Sequence, residues 1–325
     1  MQFSRRQFLR SAAVAPGLLT ACRESESQPL SFAPPARPGR VVSARNAAAW
    51  QQGRLSGAAV GEMLDASLVA LTGSADARKA WASTFKPGDR VAIKVNAIVR
   101  GATHLPLVLA VTERLCEAGV RPDRITIFDR TTRELRDAGF PVADSGERVR
   151  CRGTDDDFVG GWTILRSGVR LSRLLTDCDA VINMPVLKAL SIGGLSFGMK
   201  NHYGSFDIPH RFHGSDFTPG VVALNGLDPI RTRTRLVIGD VLAEDIGADA
   251  TDYAVIGGQA TLLMASDPIA LDRVGLQMAA EALRRAGGRD PRQAENWANR
   301  WLEEGEKVGL GVGTAERVRV ERVQI

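Results

Sequence analysis

Cysteine is scarce in this sequence, and its spacing excludes the common cluster-binding folds. The 325 residues contain four cysteines, namely Cys22, Cys116, Cys151 and Cys178. None of them stands two residues from another, so the sequence has no iron–sulfur cluster motif and no zinc ribbon. The sequence does not decide whether Cys151 and Cys178 form a disulfide, which an oxidising compartment would allow.

Long apolar runs and a strong positive charge are missing as well. After residue 22 no segment reaches the ~18 consecutive apolar residues that a membrane-spanning helix needs. The formal net charge is +5, and it falls to +2 without the three arginines of residues 1–21, which contain no acidic residue. This weak charge argues against nucleic-acid binding, and we expect no nucleic-acid partner.

The amino terminus has the pattern of an export signal. Arg5 and Arg6 lie side by side, and an Ala-rich apolar stretch follows from residue 11 to residue 21. That stretch is far shorter than the ~20 residues that span a bilayer, so it is typical of a signal peptide. Paired arginines mark the twin-arginine export machinery, which we expect as a partner.

Residues 19–22, Leu-Thr-Ala-Cys, resemble a bacterial lipobox, in which a cysteine follows small residues and receives a lipid. We therefore predict a signal peptide over residues 1–22, lipidation of Cys22 and a membrane-anchored protein in the periplasm or elsewhere outside the cytoplasm. The alternative is an ordinary cleaved signal in which Cys22 has no role. Residues 23–40 are polar and Pro-rich, and they predict a tether between the anchor and the folded body.

Residues 41–325 predict a single α/β domain. Short apolar runs, which are typical of buried strands, alternate with segments in which apolar residues recur at helical spacing. The strand candidates begin near Val41, Arg90, Arg124, Asp179, Arg235 and Arg317, and the clearest helices are expected at 57–71, 105–117 and 269–285. This alternation predicts a mostly parallel sheet with helices on both faces.

Polar residues stand at or just after the ends of several predicted strands. They are Asn96, Asp129, Asn183 with Lys188, and Asp240. Ligands of such sheets bind beyond the carboxyl ends of the strands, so these residues predict a binding site. The structural alternative is that Asp and Asn cap helices and form turns.

The segment from Gly193 to Gly214 predicts a long Gly/His-rich loop insertion. It contains three of the four histidines of the chain, His202, His210 and His213. One interpretation is a metal ion held by these histidines together with Asp207 or Asp240, although their spacing matches no common zinc pattern.

A second interpretation of the same region is an anion site. Lys94, Lys188 and Lys200 would neutralise a phosphate or a carboxylate, and backbone N–H groups of the nearby glycines would surround it. The third interpretation is that these histidines and lysines are ordinary polar residues with structural roles.

Six stretches of the chain form a recognisable series. They are VAIKVN at 91–96, THLPLVLAVTERLCEAG at 103–119, DAVINMPVLKALSIGGLSFGMKNHYG at 179–204, LVIGDVL at 236–242, SDPIALDRVG at 266–275 and GLGVG at 309–313. Together they resemble the family called domain of unknown function 362 (DUF362), over roughly residues 85–315. The resemblance implies that family's fold, and it marks Lys94, Asn96, Asn183, Lys188, Lys200 and Asn201 as shared polar positions. It implies no particular reaction.

Two functional hypotheses follow. The first is an exported, lipid-anchored enzyme or enzyme-like protein that binds a metal ion or a small anionic ligand at the strand ends. The second is a non-catalytic periplasmic accessory protein that binds or assembles a redox complex through the loop from Gly193 to Pro229. Lysines and histidines gathered in one cleft would favour the first hypothesis, whereas a flat apolar patch over the loop would favour the second.

Overall fold

The computed structural model of the chain describes residues 30–98, 101–191, 193–243, 253–257, 260–286 and 290–325. The predicted signal peptide, the lipidation site Cys22 and residues 23–29 of the predicted tether lie outside the described residues. Of the helices that are described, none is both long and apolar enough to cross a membrane.

Strands and helices alternate along most of the chain. The strands are β1 (Gly39–Arg45), β2 (Trp50–Gln51), β3 (Arg54–Leu55), β4 (Val91–Lys94), β5 (Ile125–Asp129), β6 (Arg150–Gly153), β7 (Phe158–Ile164), β8 (Ser167–Ser172), β9 (Ala180–Asn183), β10 (Lys188–Leu190), β11 (Leu195–Ser196), β12 (Thr234–Val241), β13 (Tyr253–Val255), β14 (Thr261–Ala265) and β15 (Val318–Gln324). The α-helices are α1 (Gly57–Thr72), α2 (Ala77–Thr84), α3 (Leu105–Glu117), α4 (Thr132–Asp137), α5 (Arg173–Thr176), α6 (Phe217–Gly226), α7 (Asp228–Arg231), α8 (Pro268–Ala286) and α9 (Pro291–Lys307). Short 3₁₀-helices lie at Pro122–Arg124, Lys200–Ser205, Pro209–Phe212 and Ala315–Arg317.

Eight of these strands form one sheet, in the order β15-β1-β14-β12-β9-β4-β5-β6. Neighbouring strands are parallel except where β14 pairs with β1 and β12, to which it is antiparallel. The predicted mostly parallel sheet is therefore confirmed. Smaller sheets lie outside it, namely the pairs β2–β3 and β7–β8 and the three-stranded sheet β11-β10-β13.

Each face of the main sheet has its own hydrophobic core. On one face α1 and α3 bury side chains such as Met63 and Val108. On the other face α8 and α9 bury Ile269 and Trp301, and α6 joins them. Burying one large apolar side chain stabilises a fold by about 1.5–3 kcal/mol, so both layers contribute strongly. Helices cover both faces, as the sequence predicts.

The central strands β4 and β9 position the site because they are buried along their whole length. Their sequences, VAIK and AVIN, are apolar runs that each end in a polar residue. Since successive side chains point to opposite faces, Ile93 joins one core and Ala92 joins the other. Lys94 and Asn183 consequently end the two strands deep inside the domain, where both are buried.

The described part of the predicted tether is held against the domain. The backbone N–H of Phe32 donates to the carbonyl of Val308 at 2.8 Å. The guanidinium of Arg231 lies 4.4 Å from the centre of the Phe32 ring, at a distance typical of a cation–π contact. Arg317 donates to the carbonyl of Pro35 at 2.8 Å. The strand β1 then begins at Gly39.

Cys116, Cys151 and Cys178 are all free thiols. The disulfide that the sequence left open between Cys151 and Cys178 is therefore not formed. Both of these side chains are buried, and burial raises the pKa of each thiol to about 11. They remain protonated at neutral pH and act as small apolar core residues.

Candidate functional site

The carboxyl ends of four neighbouring strands meet at one edge of the sheet. β12, β9, β4 and β5 are adjacent and parallel, and they carry Asp240, Asn183, Lys94 and Asp129 at or next to their ends. A cavity of about 200 Å³, here called the strand-end cavity, opens at this edge. It is lined by Lys94, Asn96, Ile98, Asp129, Arg130, Glu134, Ser196, Lys200, Asn201, Tyr203, Gly204, Pro209 and His213.

A buried ion pair forms the floor of the strand-end cavity. Nζ of Lys94 lies 2.7 Å from Oδ1 of Asp129, and their side chains are only 1% and 9% exposed. Asp129 also accepts from the backbone N–H groups of Ala97 and Arg130, at 2.7 and 2.8 Å. Gly204 lies directly against the pair, because a Cβ at that position would come within 2.2 Å of Asp129 Oδ1. Both charges are thus compensated and held in place.

A network of asparagine side chains extends behind the ion pair. Lys188 donates to Oδ1 of Asn96 at 2.9 Å, and Nδ2 of Asn96 donates to Oδ1 of Asn201 at 3.3 Å. Asn201 in turn donates to Oδ1 of Asn183 at 2.7 Å, and Asn183 donates to the carbonyl of Gly198 at 2.7 Å. The bonds run in one direction, so each amide has a defined orientation. This asparagine network ties β4, β9 and β10 to the loop that carries Lys200.

Lys200 begins the 3₁₀-helix Lys200–Ser205 and is half-buried. Its Nζ lies 5.5 Å from the ring centres of both Tyr203 and Phe217, in cation–π range. Within the described residues it forms no ion pair with a carboxylate, in contrast to Lys94. Burial lowers the pKa of its ammonium to about 8.

Lys188 is a second lysine whose pKa is lowered to about 8. Burial is the main cause, and the nearby charges of Lys200 and Lys94 lower the pKa further, whereas Asp129 and Asp240 raise it. Lys188 therefore lies close enough to Lys200 and Lys94 for their positive charges to repel its own.

Asp272 of α8 holds the loop that carries Lys200. Its two carboxyl oxygens accept from the backbone N–H of Gly198 at 2.5 Å and from that of Met199 at 2.9 Å. Asn225 supports the same turn, since its Nδ2 donates to the carbonyl of Met199 at 2.9 Å. Burial raises the pKa of Asp272 to about 8, although the two N–H donors oppose the shift. The residues directly before Lys200 are therefore anchored to the second core.

Asp240 is not among the residues that line the strand-end cavity. Its carboxylate accepts from the backbone N–H of His104 at 2.8 Å and from that of Leu242 at 3.1 Å, and it lies 2.9 Å from Nδ1 of His104. Burial lowers the pKa of His104, but the charge and hydrogen bond of Asp240 outweigh this and raise it overall. Asp240 thus fixes the start of α3 and the loop that follows β4.

The three histidines of the loop are not gathered into one ligand set. His202 is buried, with Nδ1 3.2 Å from the hydroxyl of Ser205, and burial lowers its pKa to about 3. His210 is exposed, and His213 is exposed with Nδ1 3.1 Å from the carbonyl of Pro209. In the part of the chain that is described, no group of three or more His, Cys, Asp or Glu side chains is placed to hold a metal ion.

Of the ten residues that the sequence proposed for a ligand or a metal, five line the strand-end cavity: Lys94, Asn96, Lys200, Asn201 and His213. Lys188 and Asn183 lie behind them in the asparagine network. Asn183 and His202 line a separate cavity of about 80 Å³.

Some functional residues were missed from that set of ten. Asp129 was recognised at a strand end but not as the partner of Lys94, and no local pattern revealed that pairing. Tyr203 lies inside the segment that drew attention for its histidines. Asp272 stands five residues after Asp267. Asp267 accepts from the first N–H groups of α8, so helix capping explains Asp267 but gives no information about Asp272.

Comparison with known families identifies the chain. The family model described as domain of unknown function (DUF362) matches residues 91–277. The chain belongs to the DUF362 family. The matched residues include every residue that lines the strand-end cavity and also Asp272, so the site lies wholly within the DUF362 domain.

No curated protein has a sequence that matches this DUF362 chain. Among solved structures, the lactate racemase apoprotein from Thermoanaerobacterium thermosaccharolyticum is similar, with a TM-score of 0.43 and 12% sequence identity. The similarity covers 76% of this chain and 58% of that one, so the chain spans little more than half of that structure's length. A likeness at this level says nothing about the reaction of the DUF362 chain.

Proposed function

We propose that this DUF362 protein binds a small anion, a phosphate or a carboxylate, in the strand-end cavity, and that the site is enzyme-like. The observation that carries the proposal is the position of Lys200. Its ammonium lies in the wall of the cavity against two aromatic rings, with no carboxylate beside it among the described residues. A partly desolvated cation of this kind is stabilised by an anionic ligand.

The balance of charge around the cavity supports an anion. The charges of Lys94 and Lys200 act on Lys188 there, Asp129 pairs with Lys94 at 2.7 Å, and Lys200 has no carboxylate at ion-pair distance among the described residues. Asp240 is engaged by His104. Since burial and neighbouring cations lower the pKa of Lys188 and burial lowers that of Lys200, a bound anion would raise both values again.

The size of the cavity favours a ligand of few atoms. Its volume is about 200 Å³, below the roughly 300 Å³ at which pockets for drug-sized ligands begin. The lysines supply positive charge, and the buried amide groups beside them supply hydrogen bonds. Sites for small oxyanions combine the two.

An arginine-rich cavity at the opposite edge of the sheet is the less suitable anion site. It has a volume of about 410 Å³ and lies at the amino ends of β4, β5 and β6. Three of its five arginines are paired with carboxylates: Arg90 with Asp179, and both Arg152 and Arg173 with Asp157. These pairs satisfy much of the positive charge locally.

Replacement of Lys200 by methionine is the direct test. We expect Lys200→Met to weaken the binding of phosphate or acetate at pH 7 at least tenfold, about 1.4 kcal/mol, because one charge-assisted contact is lost. Isothermal titration at constant ionic strength measures the affinity. The matched control is Lys307→Met, which removes an exposed lysine of α9. Equal affinities in the two variants would contradict the proposal.

The alternative of an accessory protein that docks a partner has less support. The only large apolar side chains that are exposed in the described part of the chain are Ile98 and Leu109. Two isolated side chains do not make the contiguous apolar patch expected of a docking surface. The gathered lysines favour a ligand site instead.

We also propose that the chain is exported by the twin-arginine machinery and anchored through lipidated Cys22. The paired arginines and the Leu-Thr-Ala-Cys sequence support this. In a bacterium that expresses the full chain, we expect Cys22→Ser to abolish incorporation of labelled fatty acid and to release the protein from the membrane fraction. Replacing the more distant Cys116 by serine is the control. Unchanged fractionation of the Cys22→Ser protein would contradict the anchor.

A further inference from the structure

We infer that Lys200 is a nucleophilic amine, which forms a reversible imine with a small 2-oxo acid bound in the strand-end cavity. The inference rests on the proposed anion site, and it specifies both the class of ligand and the residue that reacts. Its basis is the division of roles among the three lysines at this edge of the sheet.

Two of these lysines are committed to other contacts. Nζ of Lys94 is held between Asp129, at 2.7 Å, and the carbonyl of Val95, at 2.6 Å. Lys188 is buried, donates to Asn96 and is not among the residues that line the cavity. Lys200 lines the cavity, and its contacts are the faces of Tyr203 and Phe217.

The surroundings of Lys200 keep part of its amine neutral, and only the neutral form is a nucleophile. Aromatic faces replace water on two sides of the ammonium, and its burial disfavours the charged form. With a pKa of about 8, roughly a tenth of the amine is neutral at pH 7, against less than about a thousandth for an ordinary exposed lysine. Enzymes that form Schiff bases activate lysine in this way.

The same cavity has hydrogen-bond donors for the carboxylate of a 2-oxo acid. The ammonium of Lys94 has three N–H groups, of which the contacts to Asp129 and Val95 use two. Nδ2 of Asn96 has two N–H groups, and one of them donates to Oδ1 of Asn201. Each residue therefore keeps one N–H for a ligand, as far as the described residues go. Lys94, Asn96 and Lys200 line the same cavity, so a 2-oxo acid whose carboxylate binds Lys94 and Asn96 shares that cavity with the amine of Lys200.

The proposed step is balanced without any further reagent. The amine nitrogen bonds to the carbonyl carbon to give a carbinolamine. One amine hydrogen has then moved to the oxygen, and loss of that hydroxyl with the remaining amine hydrogen as water gives the carbon–nitrogen double bond. Hydrolysis reverses the step. Phosphate has no carbonyl group, so it can bind in the cavity but cannot form an imine.

Reductive trapping tests the inference on the full chain. The protein is incubated with pyruvate and sodium cyanoborohydride at pH 7, and the modified lysine is located by peptide mass spectrometry. We expect modification of Lys200 at a rate at least roughly tenfold above that of Lys307. In Lys200→Arg, which keeps the positive charge but has no nucleophilic amine, pyruvate should still bind by titration calorimetry while trapping is lost.

The outcomes separate this inference from the proposed anion site. Saturable binding of pyruvate without a reduced adduct on Lys200 would overturn the imine and leave the anion site standing. Trapping on Lys94 or Lys188 in preference to Lys200 would overturn the assignment of the reactive residue. Absence of both binding and trapping would overturn the two together.

Discussion

Replacing Lys94 with methionine is expected to lower the free energy of unfolding by about 3–5 kcal/mol. The reason is that Asp129, whose side chain is 9% exposed, would then carry a buried charge without its cation. Urea denaturation at pH 7 measures the change. Binding of phosphate or acetate should also be lost, since Lys94 lines the strand-end cavity.

The double variant Lys94→Met/Asp129→Leu is the control for this prediction. Removing both charges leaves an apolar pair of similar size, so we expect the double variant to be more stable than Lys94→Met alone. It should still not bind the anions. If the double variant lost as much unfolding free energy as the sum of the losses in Lys94→Met and Asp129→Leu, the two side chains would not be coupled. That result would contradict the ion pair.

Replacing Asp272 with alanine is the second large change. The backbone N–H groups of Gly198 and Met199 would lose their acceptor inside the domain, at a cost of about 1–3 kcal/mol each. We expect unfolding at a lower urea concentration and weaker anion binding, because the loop before Lys200 is released. Glu281→Ala on the exposed side of the same helix is the control, with a change of at most ~0.5 kcal/mol.

The pH dependence of stability gives an independent check on Asp272. Burial raises its pKa from the ordinary 3.8 to about 8, so the folded state binds a proton that the unfolded state releases between these values. The contribution of Asp272 is fully present below pH 3.8 and is lost as the pH rises toward 8. Compared with Asp272→Asn, the wild-type chain should therefore lose stability over this range. If the free energies of unfolding of the wild-type and Asp272→Asn proteins changed equally with pH over this range, this explanation would be contradicted.

The sequence predicted the fold well because the signal for a parallel sheet is local. Buried strands such as VAIK and AVIN are apolar in every position but the last, which happens only where both faces are covered. The sequence could not show that β14 runs antiparallel to its neighbours. All five residues of β14, TLLMA, are buried. A strand that is buried on both faces has the same pattern whether it runs parallel or antiparallel to its neighbours, so periodicity carries no information about its orientation.

The candidate site was predictable only in part, for a different physical reason. The strand ends pointed to Lys94 and Asn96, because parallel strands bring their carboxyl ends together. The pairing of Lys94 with Asp129 and the anchoring of Gly198 by Asp272 join residues far apart in sequence, and no spacing rule encodes such contacts. The histidines drew attention as a cluster in sequence, yet His202 is buried while His210 is exposed.

The pKa of Lys200, measured by NMR on lysine-labelled protein, tests the central claim most directly. Comparison with Lys200→Arg assigns the signal, and Lys307 provides an exposed reference. In the free protein we expect a pKa of about 8, because burial disfavours the ammonium. Saturating phosphate or acetate in the strand-end cavity should raise it, while the pKa of Lys307 stays unchanged. A pKa of Lys200 that neither anion moves would contradict the account.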